Sequence, residues 1–548
     1  MTKRKAGGRT EFDKYEDRAE GAGNRAPPPN QLTRVSLENF GLGYNELGCQ
    51  QYYNSGRWDS TIIDDLARFW PVSPVKTALV TNFGENIRVD ETFYSDLYIL
   101  VNRIVGLWFE SGVSTRDVGS IQLPNWWQFD VIFLATARIG AVLKAIIPVY
   151  RERDVSFMIQ LCKMCLVQSI YSGFEYPTTR ARVDSGLSSL RHSPLAQGER
   201  RPGCVLCEDD IMSYPWQASN KVFLAGSNPD PDQDSETLFT TGAMGEPKGI
   251  GQVRTTMFAR ARSIYQIMIL STDDLVWKPS ARDHSTRFIY GCITLAILGI
   301  NAICRDIWDQ ENAVAIIKSV KVTRSLSSTT FVIDLIGAPS GFPMYRSSLS
   351  YIASGGVAIL PAVVEETIEI WRMTENGTAI CTYFGEAELV GSDSDGLPLP
   401  WIELNIAQLA SCKVIRLDSV GELTVGALSQ MLRYVNRPQS NQEVLDAEGY
   451  FSKGDLARIY SRIHFRVVGW IKDRIISGSQ NVPVAEIESL PCRHSGISEV
   501  TIAAYREEQL GKRVYAVAIQ NLAMAVWRED LTAFLENAAM ARVYRTRT

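Results

Sequence analysis

Apolar positions along this chain change period from one stretch to the next. Ser95 to Ser111 carries them at helical spacing and meets Gly112, so a helix is predicted to end there. Asp117 to Asn125 reads as a buried strand stopped by Pro124. Trp126 to Leu143 is apolar over much of its surface and suits a helix packed on a sheet. Ile146 to Tyr150 predicts another short strand and Arg153 to Leu161 another helix, with Phe157 to Val167 reading as a helix that runs into a strand. An earlier apolar-periodic helix is expected over Ile62 to Phe69. Strand and helix alternating at this spacing predict a mainly parallel sheet covered by helices. Phe288 to Cys304 carries no charge, but it is short for a membrane span and contains Gly291, Gly299 and Asn301. It is read as a buried helix leading into a strand. Ser185 to Arg201 reads as a surface loop, and Asn228 to Asp234 as a turn-rich lead into the run that begins at Leu238.

A chain of 548 residues exceeds one ordinary core, so two or more domains are expected. With 45% hydrophobic and 21% charged residues it has the composition of a globular protein without an integral membrane segment. A net charge of −5 gives no reason to expect nucleic acid or an anionic membrane as partner. Residues 1–45 are assigned to a disordered tail. Its polar part, Met1 to Gln31, carries Pro27-Pro28-Pro29 and lacks the apolar run of a secretory signal. Its acidic residues argue against organellar targeting, so a cytoplasmic location is expected. Ten cysteines then suggest reduced thiols. The pairs Cys162/Cys165 and Cys204/Cys207 have zinc-knuckle spacing. A strand through Val205-Leu206 would send the second pair to opposite faces, so free, metal-poor thiols are expected and a zinc-knuckle interaction protein is the minor alternative.

The strongest candidate for chemistry is Leu238-Phe239-Thr240-Thr241-Gly242-Ala243-Met244-Gly245-Glu246-Pro247-Lys248-Gly249. Glycines let bare backbone N–H groups approach an anion, and the lysine adds a mobile positive charge suited to phosphate. The Walker pattern is absent, because Ser or Thr does not follow Gly-Lys. By composition alone the stretch is a turn.

The phrase Thr-Thr-Gly-x-x-Gly-Glu-Pro-Lys-Gly resembles the phosphate loop of acyl-adenylate-forming enzymes, the superfamily of acyl-CoA synthetases, luciferases and peptide-synthetase adenylation domains. Gln122-Leu123-Pro124-Asn125-Trp126-Trp127, Arg138 to Val142 and Tyr150 to Arg153 resemble the cyclohexanecarboxylate–CoA ligase branch. The likeness runs from about Tyr52 to Phe534. It implies an α/β fold of helix-covered mixed sheets, an N-terminal AMP-binding domain over 46–468 and a small, truncated α+β domain over 469–548.

Further stretches line up in the family's order. Asp283-His284 resembles the segment whose histidine edges the acyl pocket, and Ser354-Gly355-Gly356 the turn beside adenine and the acyl group. Tyr383-Phe384-Gly385-Glu386-Ala387-Glu388 resembles the aromatic-Gly-x-Thr-Glu signature. There Phe384 would stack near adenine and Glu388 would hold Mg²⁺, a cation that prefers oxygen ligands. Gly449 to Leu456 resembles the stretch whose aspartate, here Asp455, grips both ribose hydroxyls. Gly469 to Asp473 resembles the hinge, with Lys472 as pivot, and the loop through Gly478 would line a pantetheine tunnel. The implied site thus comprises Lys248, His284, Glu388 and Lys472 as catalytic residues. Thr240, Thr241, Gly242, Gly245, Gly249, Gly355, Gly356, Phe384, Gly385, Asp455 and Gly478 complete it as binding residues.

The resemblance implies ATP-dependent ligation of a cyclic or medium-chain carboxylic acid to coenzyme A, with ATP, Mg²⁺ and CoA as cofactors and a homodimer allowed. Several residues depart from the family. Ala243 and Met244 replace phosphate-binding hydroxyls, Ala387 and Lys453 replace threonines, Trp470 replaces an arginine, and Arg287 stands where relatives tend to have glycine. No Pro-x-x-x-x-Gly-Lys phrase precedes Thr548, whereas relatives carry there the lysine that drives adenylation. Adenylation is therefore expected to be weaker than thioester formation from a preformed acyl-AMP. A non-catalytic homologue and adenylation for a carrier protein remain alternatives.

Overall fold

The computed structural model describes residues 74–82, 90–177 save 161, 169 and 172, 195–196, 205–206, 213–240 save 228, 247–279, 288–338, 348–355, 368–382, 394–407, 419–459 save 447, 464–471, 475–477, 480–482, 494, 496–507, 511–520, 527, 530 and 534. The tail and the Ile62–Phe69 helix lie outside these residues.

Among the described residues two large sheets carry the fold. The first has nine strands, and six of them run parallel at its centre: Ile368–Met373, Tyr351–Ser354, Arg324–Ser327, Leu275–Trp277, Asn301–Arg305 and Thr77–Asn82, in that spatial order. The second has eight, with Val118–Gln122, Val142–Ala145 and Met164–Val167 parallel near its middle. The strand Asp234–Thr240 joins it parallel to Val142–Ala145, and Lys248–Val253 returns antiparallel beside Asp234–Thr240. A smaller four-stranded antiparallel sheet holds Ile402–Ala407, Gly421–Ala427, Phe451–Ile459 and Phe465–Trp470. The expected βαβ alternation is thus present, with antiparallel strands added at sheet edges.

One apolar cluster joins both large sheets. Ala78 and Leu79 of the first and Ile121 and Leu143 of the second share it with Leu97, Val101, Phe129, Phe133, Phe258 and Ile293 from the helical segments. The helix Trp127–Ile139 lies within this cluster, and even its Asp130 is 1% exposed. That carboxylate accepts hydrogen bonds from the thiols of Cys292 at 2.6 Å and Cys304 at 3.7 Å.

Two boundaries differ from the sequence reading. The helix expected to reach Leu143 stops at Ile139, because Gly140 adopts φ 78, a left-handed turn that ends it. Val142 and Leu143 then enter a strand that ends at Ala145, so the strand expected over Ile146–Tyr150 lies earlier in the chain. The Phe288–Cys304 stretch is, as read, buried: a π-helical turn over Phe288–Ile293, a helix Thr294–Leu298 and the strand Asn301–Arg305. Leu195–Ala196, inside the expected loop, pairs with Leu166 and with Val205–Leu206. No helix of the described residues is long and apolar enough to cross a membrane. Cys162 and Cys165 are buried and form no disulfide, and Cys165 Sγ accepts from the Ser120 hydroxyl at 3.1 Å; Cys204 and Cys207 are outside the described residues.

Candidate active site

The phosphate-loop sequence is the tip of a hairpin. Phe239 pairs with Gly249 and Thr240 with Lys248, and the tip residues between Thr240 and Pro247 are not described. Lys248 is therefore rooted at the start of the strand Lys248–Val253, whereas the sequence reading places it among loop residues. Its ammonium lies 4.7 Å from the centre of the Tyr434 ring. Tyr434 is carried by the short strand Arg433–Tyr434, which pairs with Ile250 and Gly251 and so flanks the hairpin. The opposite face of the hairpin, with Thr237, Phe239 and Gly249, lines a separate cavity of about 260 Å³ beside Lys144.

From Tyr434 the contacts run on to Lys453, two residues before Asp455. The Tyr434 hydroxyl donates to Glu375 Oε1 at 2.7 Å, and Lys453 Nζ pairs with the same oxygen at 2.6 Å. Glu375 is fully buried, in the turn between Ile368–Met373 and Gly377–Cys381. Arg260 fixes that turn from the helix Arg254–Met268. Its guanidinium donates to the carbonyls of Thr374 at 3.0 Å, Glu375 at 2.6 Å and Ser429 at 2.7 Å. Gly377, at φ 76, lies so close to Arg260 that a Cβ there would meet its Cγ at 2.9 Å. Burial lowers Arg260 to about 10, opposed by Tyr290, Glu236 and Glu375.

Lys453 and Asp455 flank a break in their strand. Thr424 pairs with Ser452 but Glu422 pairs with Leu456, so three residues, Lys453 to Asp455, face the single Leu423. Gly454 at φ 91 permits this bulge. The bulge leaves Asp455 8% exposed, paired with Trp470 in the neighbouring strand. Burial is the largest cause that raises its carboxyl to about 6. Lys453 and a hydrogen bond from the Trp470 side chain pull the other way, while Glu375 and Glu422 add to the rise.

Gly355 sits at the end of Tyr351–Ser354, where a Cβ would meet Ile370 O at 2.0 Å. Only glycine fits that approach. Gly355→Ala is expected to cost about 1–3 kcal/mol of stability, measured by urea unfolding, since a carbonyl in a sheet cannot move aside. An unchanged midpoint would show that the strands separate freely there.

Of the sequence-derived site, Thr240, Lys248, Gly249, Gly355 and Asp455 are described. Thr241, Gly242, Gly245, His284, Gly356, Phe384, Gly385, Glu388, Lys472 and Gly478 lie outside the described residues. Two departures now have surroundings: Lys453 forms the ion pair with Glu375, and Trp470 donates to Asp455. Tyr434, Glu375 and Arg260 escaped the sequence reading, since no local pattern marks them.

The two helix-joined sheets and the smaller third sheet form the luciferase-like fold of adenylate-forming enzymes. ATP-bound MatB from Rhodopseudomonas palustris superposes with a TM-score of 0.74 at 17% identity, covering 89% of this chain and 94% of that one. The chain belongs to the AMP-binding enzyme family, whose pattern matches residues 67–435. The medium-chain fatty-acid–CoA ligase of Escherichia coli strain K12 is 24% identical over 525 residues, 94% of this chain and 91% of that protein. A 3-[(3aS,4S,7aS)-7a-methyl-1,5-dioxo-octahydro-1H-inden-4-yl]propanoyl:CoA ligase of Rhodococcus jostii strain RHA1 is 24% identical over 451 residues, 78% of this chain and 84% of that protein.

Proposed function

We propose that this chain is an ATP-dependent carboxylic acid–CoA ligase that works through an acyl-adenylate, acting on a medium-chain or cyclic acid. The observation that carries the proposal is the contact chain from Lys248, at the base of the phosphate-loop hairpin, through Tyr434 and Glu375 to Lys453, two residues along the strand from the buried Asp455. A cation for phosphate and a carboxylate for ribose hydroxyls are thus tied together within a member of the AMP-binding enzyme family. The two ligase relatives, one for an open-chain acid and one for a fused-ring propanoate, support the substrate class.

The acid carboxylate attacks the α-phosphorus of ATP and pyrophosphate leaves. The CoA thiol, losing its proton, then attacks the acyl carbon and AMP leaves. Negative charge builds on phosphate oxygens in the first step, and Lys248 offsets it in this reading. Asp455 accepts from the ribose hydroxyls and fixes the nucleotide. Mg²⁺ enters with ATP as part of that substrate. Its proposed protein ligand Glu388 is outside the described residues, among which no cluster of three or more His, Cys, Asp or Glu side chains is placed to hold a metal. The domain boundary near residue 468 and the pivot at Lys472 belong to the same proposal; the strand Phe465–Trp470 continues two residues past that boundary.

The test is a panel of acids assayed for both AMP and acyl-CoA, with Lys248→Ala as the control. That variant should bind ATP about 10- to 100-fold more weakly, for a lost charged contact of roughly 1.5–3 kcal/mol. The fold should lose only about 0.5–1 kcal/mol, from the contact with the Tyr434 ring. Equal protection of both proteins by ATP against thermal unfolding would remove Lys248 from the site.

A further inference from the structure

We propose that Glu375 is a positioning residue for the nucleotide site: by taking the Lys453 ammonium in an ion pair of its own, it keeps that charge from closing on Asp455. The inference rests on the assignment of Asp455 to ribose. Its basis is geometric. Lys453 and Asp455 are brought onto one bulge, separated only by Gly454 at φ 91, so a long cationic side chain starts two residues from the buried carboxylate. A lysine that starts so near an aspartate can pair with it directly, and its charge is felt at Asp455; once paired, the aspartate would have fewer lone pairs to offer a ligand. Among the described residues the ion pair of Lys453 is instead with Glu375, at 2.6 Å.

Glu375 is built to hold it. Its carboxylate is fully buried, and Oε1 also accepts from Tyr434 at 2.7 Å. Its own carbonyl is fixed by Arg260 at 2.6 Å and by the Met431 amide at 2.6 Å. A loose surface glutamate would pay rotamer entropy to trap a lysine; this one is already immobile. The same oxygen links the ribose side to the phosphate side, since Lys248 rests on the Tyr434 ring. The groups whose charge or hydrogen bonding bears on Asp455 are Lys453, Glu375, Glu422 and Trp470, and those on the Glu375 side are Arg260, Tyr434 and Lys453. None of them forms a metal cluster among the described residues.

The experiment measures adenosine affinity against pH for the full chain and for Glu375→Gln, Lys453→Met and the double variant. Adenosine is the probe because it lacks a phosphate, whose own ionisation near pH 6 would mask the effect. In the wild type, binding should weaken as pH falls through about 6, where the buried carboxyl takes up its proton. Glu375→Gln removes a neighbouring negative charge and frees Lys453, so the pH edge should move down by about one unit. Binding at pH 8 should also fall by about tenfold as Lys453 captures Asp455. Lys453→Met should move the edge up by about one unit while keeping full affinity at pH 8. The double variant should bind at pH 8 like the wild type, because no ammonium is left to compete.

The opposite pH shifts follow from charge alone; a role for Glu375 that is merely structural or electrostatic does not predict a loss of affinity at pH 8 that the double variant restores. The inference is overturned if Glu375→Gln keeps the wild-type affinity at pH 8, or if the double variant fails to restore it, while Asp455→Ala loses binding. If Asp455→Ala binds adenosine as well as the wild type does, the ribose assignment itself falls and the inference falls with it. Lys453→Met changes a half-exposed side chain, so it remains testable even if Glu375→Gln folds poorly.

Discussion

Asp455→Asn is expected to make the protein more stable at pH 8 while removing its affinity for nucleotide. The sign comes from the raised carboxyl. In the unfolded chain it ionises near 3.8, but in the fold only near 6, so the native state must bear a charge it disfavours. Stability from this group is intact below the unfolded value and is lost as pH rises through about 6. A shift of roughly two units corresponds to about 3 kcal/mol at most. The asparagine keeps a carbonyl oxygen for the Trp470 hydrogen bond and carries no charge to bury. Urea unfolding at pH 4 and pH 8 is the measurement: the variant and the wild type should be close at pH 4 and diverge at pH 8. A variant less stable than the wild type at both would mean that Lys453 and Trp470 outweigh burial.

Arg260→Met should have a comparable effect in the opposite direction. The guanidinium is the donor to three backbone carbonyls, at Thr374, Glu375 and Ser429, and it faces the buried Glu236. Methionine fills similar volume but donates nothing. Removing one partner from a buried charged cluster costs about 3–5 kcal/mol, mostly through groups left unpaired. Chemical unfolding gives the loss directly. Nucleotide affinity measured well below the midpoint should also drop, because the turn that holds Glu375 loses its anchor. Loss of less than about 1 kcal/mol would show that water replaces the guanidinium.

Much of the architecture was open to a reading of the residues. Ser95 to Ser111 announced a helix by its spacing, and the glycine at 112 marked its end; the helix spans Tyr94–Glu110, and Gly112 lies at φ 75. The overrun to Leu143 came from a helix and a strand that are both apolar, so the run has no change of composition where Gly140 divides it. Lys248 and Asp455 could be singled out because each lies in a stretch with local character. Glu375, Tyr434 and Arg260 could not, since their meaning is tertiary. Tyr434 meets Glu375 across 59 residues, Lys453 meets it across 78, and Arg260 reaches Ser429 across 169. Lys453 looked like a defect in a motif because its partner is not in the motif.

The three carbonyls on Arg260 have a consequence for motion. Thr374 and Glu375 belong to the end of a hairpin in the nine-stranded sheet. Ser429 comes just after the strand Gly421–Ala427 of the four-stranded sheet and leads toward Tyr434 at the margin of the eight-stranded one. One planar cation therefore ties the end of that hairpin to the segment that leaves the four-stranded sheet. Sliding the hairpin against that segment would tear hydrogen bonds from a buried guanidinium, so the two are expected to move together. On the proposed function, a nucleotide would enter and leave by movement of parts attached to that joint rather than by flexing within it. In that reading the turn that carries Glu375 would be an anvil, not a jaw.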